Sequence, residues 1–595
     1  MKLKFLTSVT FFLAVLAALC CCTLFLSSSH FVSREVSPKW FGLIAGIALT
    51  GIISFLQQRV YIPAKSLFLL ISVSCFIVFF RDWAVSGFND YLLTQTFCLI
   101  FLFFVLQQAI PVLPSGYLFG MFALLATVLA FYGILQYAGV FYGANSFKIT
   151  GSFDNPAGYA AALACLFPYV FRFFRNSHQA VKYISIFIAS IIFLTAALSG
   201  SRAAIVSCLA VSACFLFSRY SGLKIRKGIK ITLVCIAIAG MTGLYFLKRD
   251  SANGRLLIWQ TTWNMIRDKP LAGHGYSAVN AKYMLYQAEY FDVHPDSRYS
   301  ALADNVLHPF NEYLLVLSEH GVIGFGVPVL LVLFTVRIYR RKPGRTKFIA
   351  MLSLLSLAVF SCFSYPFKYP FSWIMLFLNI TLIFPAMEVS SRSRVYPIKA
   401  LMSVIAAGLL FAGTILTEAE IKWNTIAHQS LAGKTLQVLP EYDKLYAYLG
   451  RNGLFLYNHA AELHEVKEYE RSLSVFSLCT KYYNDMDVQM LLADNYRELG
   501  RYDEAEKHFR LAASMCPNRF MPLYQLVILY RETNRNEEAL NLAQQILDKE
   551  IKIPSATVSA IRNEMQQLIE DGQKEKTVPE PESRTNVESL NFNFI

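Results

Sequence analysis

The sequence predicts an all-α, polytopic helical membrane protein with about 12–13 spans, followed by a C-terminal α-helical repeat domain. Three observations support this fold class. The chain has 595 residues, of which 55% are hydrophobic and only 16% are charged, and its mean hydropathy is +0.43. Its apolar residues form blocks close to the roughly 20 residues that a helix needs to cross a bilayer. After residue 418 the sequence becomes charged but keeps a helical period.

The candidate spans define a predicted membrane domain over residues 1–418. Most of the twelve cysteines lie inside these apolar blocks without metal-ligand spacing, so we read them as small hydrophobic residues and expect no metal or other cofactor. The spans cover residues 7–27, 40–56, 66–80, 92–113, 117–136, 157–174, 183–199, 203–218, 230–247, 313–336, 348–364, 369–387 and 399–417.

Lysine and arginine set the expected orientation, because cytoplasmic loops are enriched in both. With the N-terminus inside, alternate loops carry most of the positive charge, including the basic runs at 219–230 and 337–347. A long loop at 248–312, the segment 137–156 and the turn 199–202 then lie on the outer face. Everything after residue 418 lies there too, so we expect an inner (cytoplasmic) membrane protein, multi-pass, with a periplasmic C-terminal domain.

The C-terminal region, residues 440–570, repeats at a spacing near 34 residues, which is the period of paired-helix repeats. It resembles the tetratricopeptide family, which implies a surface for a protein partner; the alternative is a passive spacer. Residues 572–595 have a disordered composition. The best repeat places small and aromatic residues at Ala493, Tyr496, Ala505, Phe509, Ala512 and Pro517.

Two arginines stand out on the predicted outer face. Arg202 lies in the turn "LSGSRAAIV", where backbone N–H groups beside a guanidinium suit an anion. Arg255 follows Asn-Gly at the start of the long loop, in "NGRLLIW". The alternative for such cations is a snorkelling anchor at the membrane boundary. The net charge of +14 fits cytoplasmic loops, and we expect no nucleic acid as partner.

His308 opens "HPFNEYLLVLSEHGVIG", where the chain re-enters the membrane from the long loop. A lone histidine is more often structural than catalytic. If residues 308–326 are helical, however, His308, Asn311 and Glu319 share one face and form a polar stripe that enters the bilayer. Arginine forks bind diphosphate, and a neutral imidazole can accept a proton from a hydroxyl near pH 7. These groups suit glycan transfer from a lipid diphosphate.

These motifs together resemble the O-antigen ligase and O-antigen polymerase superfamily, which includes protein O-oligosaccharyltransferases. The resemblance covers roughly residues 90–390 and adds the Asn-Pro segment "GSFDNPAGYAAAL" at 151–163. It implies a metal-independent glycosyltransferase that uses an undecaprenyl-diphosphate-linked glycan and inverts the reacting carbon. By motif, Arg202 and Arg255 would hold the diphosphate, His308 would act as base or orienter, and Asn311 and Glu319 would support the site.

The sequence departs from the superfamily motif at one position that matters for the identity of the catalytic base. Many members of the superfamily have a second histidine directly before the asparagine of this motif, and here that position is Phe310. The motifs leave the acceptor open among lipid A core, a growing glycan and a protein hydroxyl. Two other functions remain as alternatives. A transporter or flippase of lipid-linked glycans would show polar residues spread through several spans, and a membrane scaffold would act through its repeats.

Overall fold

The computed structural model describes residues 2–54, 60–65, 67, 72, 90–141, 147–174, 178–219, 243, 245–246, 248–389 and 391–577. The predicted spans 66–80 and 230–247 lie almost wholly outside the described residues. So do residues 578–595 of the predicted tail. The structure divides into two compact units, residues 1–286 with 306–484 and residues 287–305 with 485–595.

The first unit is built mainly from apolar helices. All other predicted spans fall on helices of this unit. Their bounds differ by a few residues, except for the span 399–417, which lies within the longer helix Arg392–Gln429. The helices are α1 Lys2–Phe25, α2 Ser37–Ser54, α3 Asp90–Ala109, α4 Ser115–Tyr137, α5 Pro156–Val170, α6 Gln179–Leu198, α7 Arg202–Arg219, α8 Arg249–Asp268, α9 Ala278–Val293, α10 Glu312–Arg341, α11 Arg345–Ser361, α12 Pro370–Ile383 and α13 Arg392–Gln429.

Six helical segments of the described chain are long and apolar enough to cross a membrane: Tyr91–Ala109, Ser115–Tyr137, Gln179–Leu198, Arg202–Arg219, Glu312–Arg341 and Ser393–Leu449. The shorter apolar helices Val9–Phe25 and Pro370–Ile383 accompany them. An all-α multi-pass membrane protein is therefore confirmed, and the total of 12–13 spans stays a prediction. The described β-structure is one antiparallel pair, β1 Val60–Pro63 with β2 Ala386–Val389.

Helix α5 is the central helix of the first unit, and its residues from Gly158 to Val170 are all buried. A helix that is apolar on every side lies either in a protein core or against lipid, and the burial of α5 places it in the core. Two serines of α11 fix it further, because Ser353 Oγ and Ser356 Oγ donate to the carbonyl oxygens of Cys165 and Ala164 at 2.8 and 2.6 Å. Residues 154 and 155, just before α5, are thereby held at one end of the bundle.

The first unit continues beyond the membrane-type helices with α14 Thr435–Leu449, α15 Gly453–Glu465 and α16 Tyr469–Cys479. The second unit contains α17 Met486–Glu498, α18 Tyr502–Met515, α19 Met521–Glu532, α20 Asn536–Asp548 and α21 Ala556–Thr577, with the end of α9 and the following residues to 305. Helix α21 extends past residue 572, the expected start of the tail, because this stretch is rich in helix-forming Glu, Gln and Lys.

Paired helices are thus present where repeats were expected. The small and aromatic positions Ala493, Ala505, Phe509 and Ala512 are buried between them. The compact units do not follow the expected division into residues 1–418 and 440–570, since α14 to α16 belong with the first unit. That domain division and the tetratricopeptide assignment stay predictions.

Candidate functional site

The site is organised by one face of α8. Ser251 and Arg255 are four residues apart and therefore point to the same side of the helix. Arg202, the first residue of α7, donates from Nη2 to Ser251 Oγ at 3.0 Å and from Nη1 to the Lys248 carbonyl oxygen at 3.5 Å. The two predicted arginines are therefore brought onto the same helix face, although 52 positions separate them in the chain.

The positive charge of one guanidinium group affects the pKa of the other. Burial, together with the positive charge of Arg202, lowers the pKa of Arg255 to about 10. The hydrogen bond of Arg255 Nη1 goes to the carbonyl oxygen of Phe363 at 2.8 Å, and a carbonyl does not neutralise a cation. Two nearby cations that repel each other are the arrangement that a bound diphosphate would stabilise.

Aromatic residues connect α8 to the segment that contains His308. The guanidinium carbon of Arg255 lies 5.1 Å from the centre of the Phe310 ring, within the range of a cation–π contact. One turn further along α8, Trp259 Nε1 donates to the carbonyl oxygen of Pro309 at 3.0 Å. Residues 309 and 310 are thus held against the face that carries Arg255.

His308 lies in a turn before α10 and not on a helix. The condition that residues 308–326 form one helix is not met: α10 begins only at Glu312, and it is broken at Gly321, which has φ 61°. Phe310 also has a positive φ, 53°, a left-handed conformation that a helix cannot contain. Asn311 explains the boundary, because its side chain accepts from the N–H groups of Tyr313 and Leu314 as the N-cap.

The imidazole of His308 packs flat on the ring of Tyr365, with ring centres 4.6 Å apart and an angle of 26° between the planes. The Tyr365 ring also meets Phe310, edge to face, at 5.3 Å. Burial lowers the pKa of His308 to about 4; the positive charge of Lys368 lowers it too, and Asp154 acts in the opposite direction. His308 is therefore neutral at pH 7 and able to accept a proton.

A second set of contacts fixes Tyr365. Its hydroxyl accepts a hydrogen bond from Asn155 Nδ2 at 3.0 Å, while Asn155 Oδ1 caps α5 by accepting from the N–H of Ala157 at 2.8 Å. Burial raises the pKa of Tyr365 to about 12, so it remains a neutral phenol. The Asn-Pro segment noted in the sequence therefore orients the ring on which His308 is stacked.

An ion pair lies beside this stack. Lys368 Nζ is 2.7 Å from Asp154 Oδ2, and the Tyr369 hydroxyl donates to Asp154 Oδ1 at 2.6 Å. Sequence reasoning missed Asp154, Tyr365 and Lys368 as site residues. The available signal was polar and aromatic side chains in two short connections, "FDNP" and "SYPFKYP", but which of them meet depends on how α5 and α12 pack.

Glu319 is placed differently from the other predicted residues. It lies at the break in α10, where its carbonyl oxygen accepts from the N–H of Gly275 at 3.0 Å. Its carboxylate is 3.9 Å from His320 Nε2. The Gly-rich turn at 270–277 inserts into this break, and a Cβ on Gly273 would be only 2.5 Å from the Glu319 carbonyl. The described contacts of Glu319 thus belong to the junction where the Gly-rich turn packs into the break of α10.

Contacts link Arg255 to Phe310, Phe310 to Tyr365 and Tyr365 to His308. Arg202 joins this group through Ser251 of the same helix as Arg255, and Asn311 adjoins it as the cap of α10. Their functional roles stay predictions. Within the described part of the chain, no group of three or more His, Cys, Asp and Glu side chains is placed to hold a metal ion. The chemistry that this group offers is anion binding by two cations next to a neutral imidazole.

Comparison with protein families identifies the segment that carries Arg202, Arg255 and His308. Residues 186–329 match the family model described as O-Antigen ligase. Arg202, Arg255 and His308 all lie within the match, whereas residues 151–163 and the repeat region lie outside it. A search of curated proteins gave no match. The resemblance to the O-antigen ligase superfamily is confirmed, and it supports a glycosyl-transfer enzyme of this general type.

Proposed function

We propose that this protein of the O-antigen ligase type transfers a glycan from an undecaprenyl-diphosphate carrier to an acceptor hydroxyl on the periplasmic face of the inner membrane. The observation that carries the proposal is the pair of cations Arg202 and Arg255 on one helix face, joined through two aromatic rings to a neutral imidazole. Such a pair suits a ligand with two adjacent phosphates.

In the proposed step, His308 accepts the proton of the acceptor hydroxyl. The hydroxyl oxygen forms a bond to the anomeric carbon of the glycan while the bond from that carbon to the phosphate oxygen breaks. The bonding electrons leave with the undecaprenyl diphosphate, whose added negative charge is stabilised by Arg202 and Arg255. Attack opposite the leaving group inverts the anomeric carbon, and the imidazolium then returns its proton to water.

The basic loops of the sequence support the assignment to the periplasmic face, because in that orientation the long loop and the start of α7 lie outside the cytoplasm. A reporter fused after residue 570 tests this directly. We expect activity from a reporter that requires the periplasm. Activity only from a cytoplasmic reporter would place the repeats, and with them the site, on the wrong side.

The acceptor is lipid A core, a growing glycan or a protein serine or threonine. The helical repeats favour a protein partner, either as acceptor or as assembly platform, because paired helical repeats commonly present a binding surface. Supplying the three acceptor classes separately to the purified protein distinguishes a ligase, a polymerase and an oligosaccharyltransferase.

The test of the reaction uses the full chain in detergent or nanodiscs, with an undecaprenyl-diphosphate glycan and each acceptor. We expect transfer without added nucleotide. Loss of either arginine removes charge-assisted hydrogen bonds of about 1.5–3 kcal/mol, so Arg202→Ala and Arg255→Ala should lower kcat/KM by about 10- to 150-fold. His308→Ala should lower it by on the order of 100-fold or more.

Matched controls are present in the same chain. Arg267 lies on α8 with an exposed side chain, and His30 is exposed in the turn between α1 and α2. Arg267→Ala and His30→Ala should keep the activity of the unaltered protein. Normal turnover by all three site variants would reject the site. Movement of the lipid-linked glycan across the membrane without a new glycosidic bond would instead identify a flippase.

A further inference from the structure

Part of the long loop belongs to the helical repeats and not to the membrane-type helices. Residues 287–305 group with residues 485–595 in the second compact unit. This loop segment consists of the last two turns of α9, a stretch without regular structure, a 3₁₀ turn at Ser300–Leu302 and an extended end at residues 303–305. Sequence patterns do not reveal this pairing, because 181 to 228 positions separate the partners.

The centre of the contact is Asn518, in the turn between α18 and α19. Its Nδ2 donates to two carbonyl oxygens of the loop segment, those of Ala301 at 3.3 Å and Ala303 at 2.8 Å. Both acceptors are main-chain atoms two residues apart. Ala301 lies inside the 3₁₀ turn, and Ala303 is the extended residue that ends it. Asn518 therefore binds the main chain where the turn ends, whatever the side chains of the segment are.

Side chains fix the end of the segment in register. Arg519 Nη2 lies 2.8 Å from Asp304 Oδ1. Asn305 Nδ2 donates to Asp487 Oδ2 at 3.0 Å, and Asn305 Oδ1 accepts from the N–H of Met486 at 3.3 Å. The main chain of residues 301–303 and the side chains of residues 304 and 305 are thus bound by adjacent turns of the repeats.

The helical start of the segment is bound as well. Gln287 is fully buried, and its Nε2 donates to the carbonyl oxygens of Met515 at 2.7 Å and Asp304 at 3.2 Å. Ser514 Oγ donates to Asp292 Oδ1 at 2.6 Å. Gln287 therefore ties the two ends of the loop segment together on the repeat surface, which requires a defined fold of the segment.

We propose that Asn518, Arg519 and Asp487 form an intramolecular peptide-binding site whose ligand is residues 301–305 of the same chain. Only Val306 and Leu307 separate the bound segment from His308. The site therefore restrains the chain immediately before the imidazole, and Asn518 is a positioning residue for it; this second part rests on the proposed glycosyl transfer. The repeats thus bind a segment of their own chain, in addition to any separate partner.

Binding of the segment can be tested without activity, by amide hydrogen exchange on the full chain. Asn518→Ala removes two hydrogen bonds, so exchange at residues 299–305 should accelerate by about tenfold or more. Asn541→Ala, at an exposed position of α20, is the matched control and should leave exchange there unchanged. Unchanged exchange in Asn518→Ala would overturn the proposed binding site.

Positioning requires a second change that keeps the repeats intact. Two glycines inserted after Asn305 leave every contact of the bound segment in place but lengthen its connection to His308. We expect protected amides at 299–305 and a kcat lowered by on the order of tenfold, with KM for the donor nearly unchanged, because small displacements of a catalytic group are costly.

The two parts of the proposal fail in different ways. A full kcat in the insertion variant, with the segment still protected, would overturn the positioning role and leave the binding site standing. Absence of transfer by the unaltered protein with every acceptor would reject the proposed function, while the exchange measurement would still decide the binding site. Restored exchange protection in the double variant Arg519→Asp with Asp304→Arg, compared with either single change, would support the register described above.

Discussion

Two opposite charges near His308 shift its pKa in opposite directions, so substitutions of the charged residues can test its protonation. Lys368 lowers the pKa of His308, and Asp154 raises it. The two charges form one ion pair, so removing either one leaves the other unopposed. Lys368→Met should therefore raise the pKa of His308, whereas Asp154→Asn should lower it.

The size of the shift follows from the distances. Lys368 Nζ is 5.8 Å from the centre of the Tyr365 ring, and that centre is 4.6 Å from the centre of the His308 ring. The charge therefore lies at most about 10 Å from the imidazole, where a unit charge contributes at least about 0.4 kcal/mol at an effective dielectric constant of about 80 and at least about 1.7 kcal/mol at about 20. The lower limit of the shift is thus about 0.3 to 1.2 pKa units for each substitution, with opposite signs.

The assay is the pH dependence of kcat/KM, which reports the ionisation of groups in the free enzyme. A base must be neutral to act, so activity is complete above the pKa of His308 and is lost as the pH falls through about 4. We expect this acid limb to move upward in Lys368→Met and downward in Asp154→Asn. Returning each sample to pH 7 before a second assay separates titration from irreversible unfolding.

Two outcomes would refute the reasoning. If both variants move the acid limb in the same direction, the limb does not report the charge balance at His308. If neither moves it, the group that titrates lies elsewhere.

A third measurement concerns Arg255, whose pKa of about 10 predicts a fall of kcat/KM above that pH. Arg255→Lys should alter this alkaline limb, whereas Lys368→Met should leave it in place.

Two further predictions concern the groups that support the site. Phe310→Ala removes the ring from Arg255, a contact worth about 0.5–1 kcal/mol, and should raise KM for the donor about two- to fivefold in initial-rate assays; an unchanged KM would show that the ring does not hold the guanidinium. Gly273→Ala places a Cβ 2.5 Å from the α10 backbone at φ +66° and should destabilise the protein by at least about 1–2 kcal/mol, measured as a lower Tm. Gly326→Ala, where a Cβ meets nothing within 4 Å, is the control. Equal Tm values for the two variants would contradict the described packing of the Gly-rich turn into the break of α10.

The apolar helices could be predicted from the sequence, and three residues of the candidate site could be singled out in it, because both depend on local information. Long apolar blocks require a nonpolar environment wherever they occur. Arg202, Arg255 and His308 each stand in a short motif. Local sequence does not predict the conformation of Phe310, because nothing in its neighbours requires a positive φ. The helix considered through His308 also overlooked Asn311, whose residue type is a common helix N-cap.

The remaining site residues could not be predicted, because their roles arise from packing between distant segments. Asn155 and Tyr365 are 210 positions apart and meet only because α5 and α11 pack together. The same holds for the loop segment bound by Asn518, where the hydrogen bonds go to main-chain carbonyls that leave no pattern in the side chains. Periodicity finds helices, but it does not say which loops meet.

The departure at Phe310 has a chemical consequence for the proposed mechanism. A carboxylate against Arg255 would neutralise the guanidinium and compete with the phosphates of the donor, and a second, protonated imidazole there would repel both arginines. An aromatic ring holds the guanidinium through its π face and leaves the positive charge available. The nearby carboxylate of Asp154 is engaged by Lys368 and Tyr369 instead. In the proposed mechanism, Phe310 at this position therefore favours binding of the diphosphate and leaves proton transfer to His308.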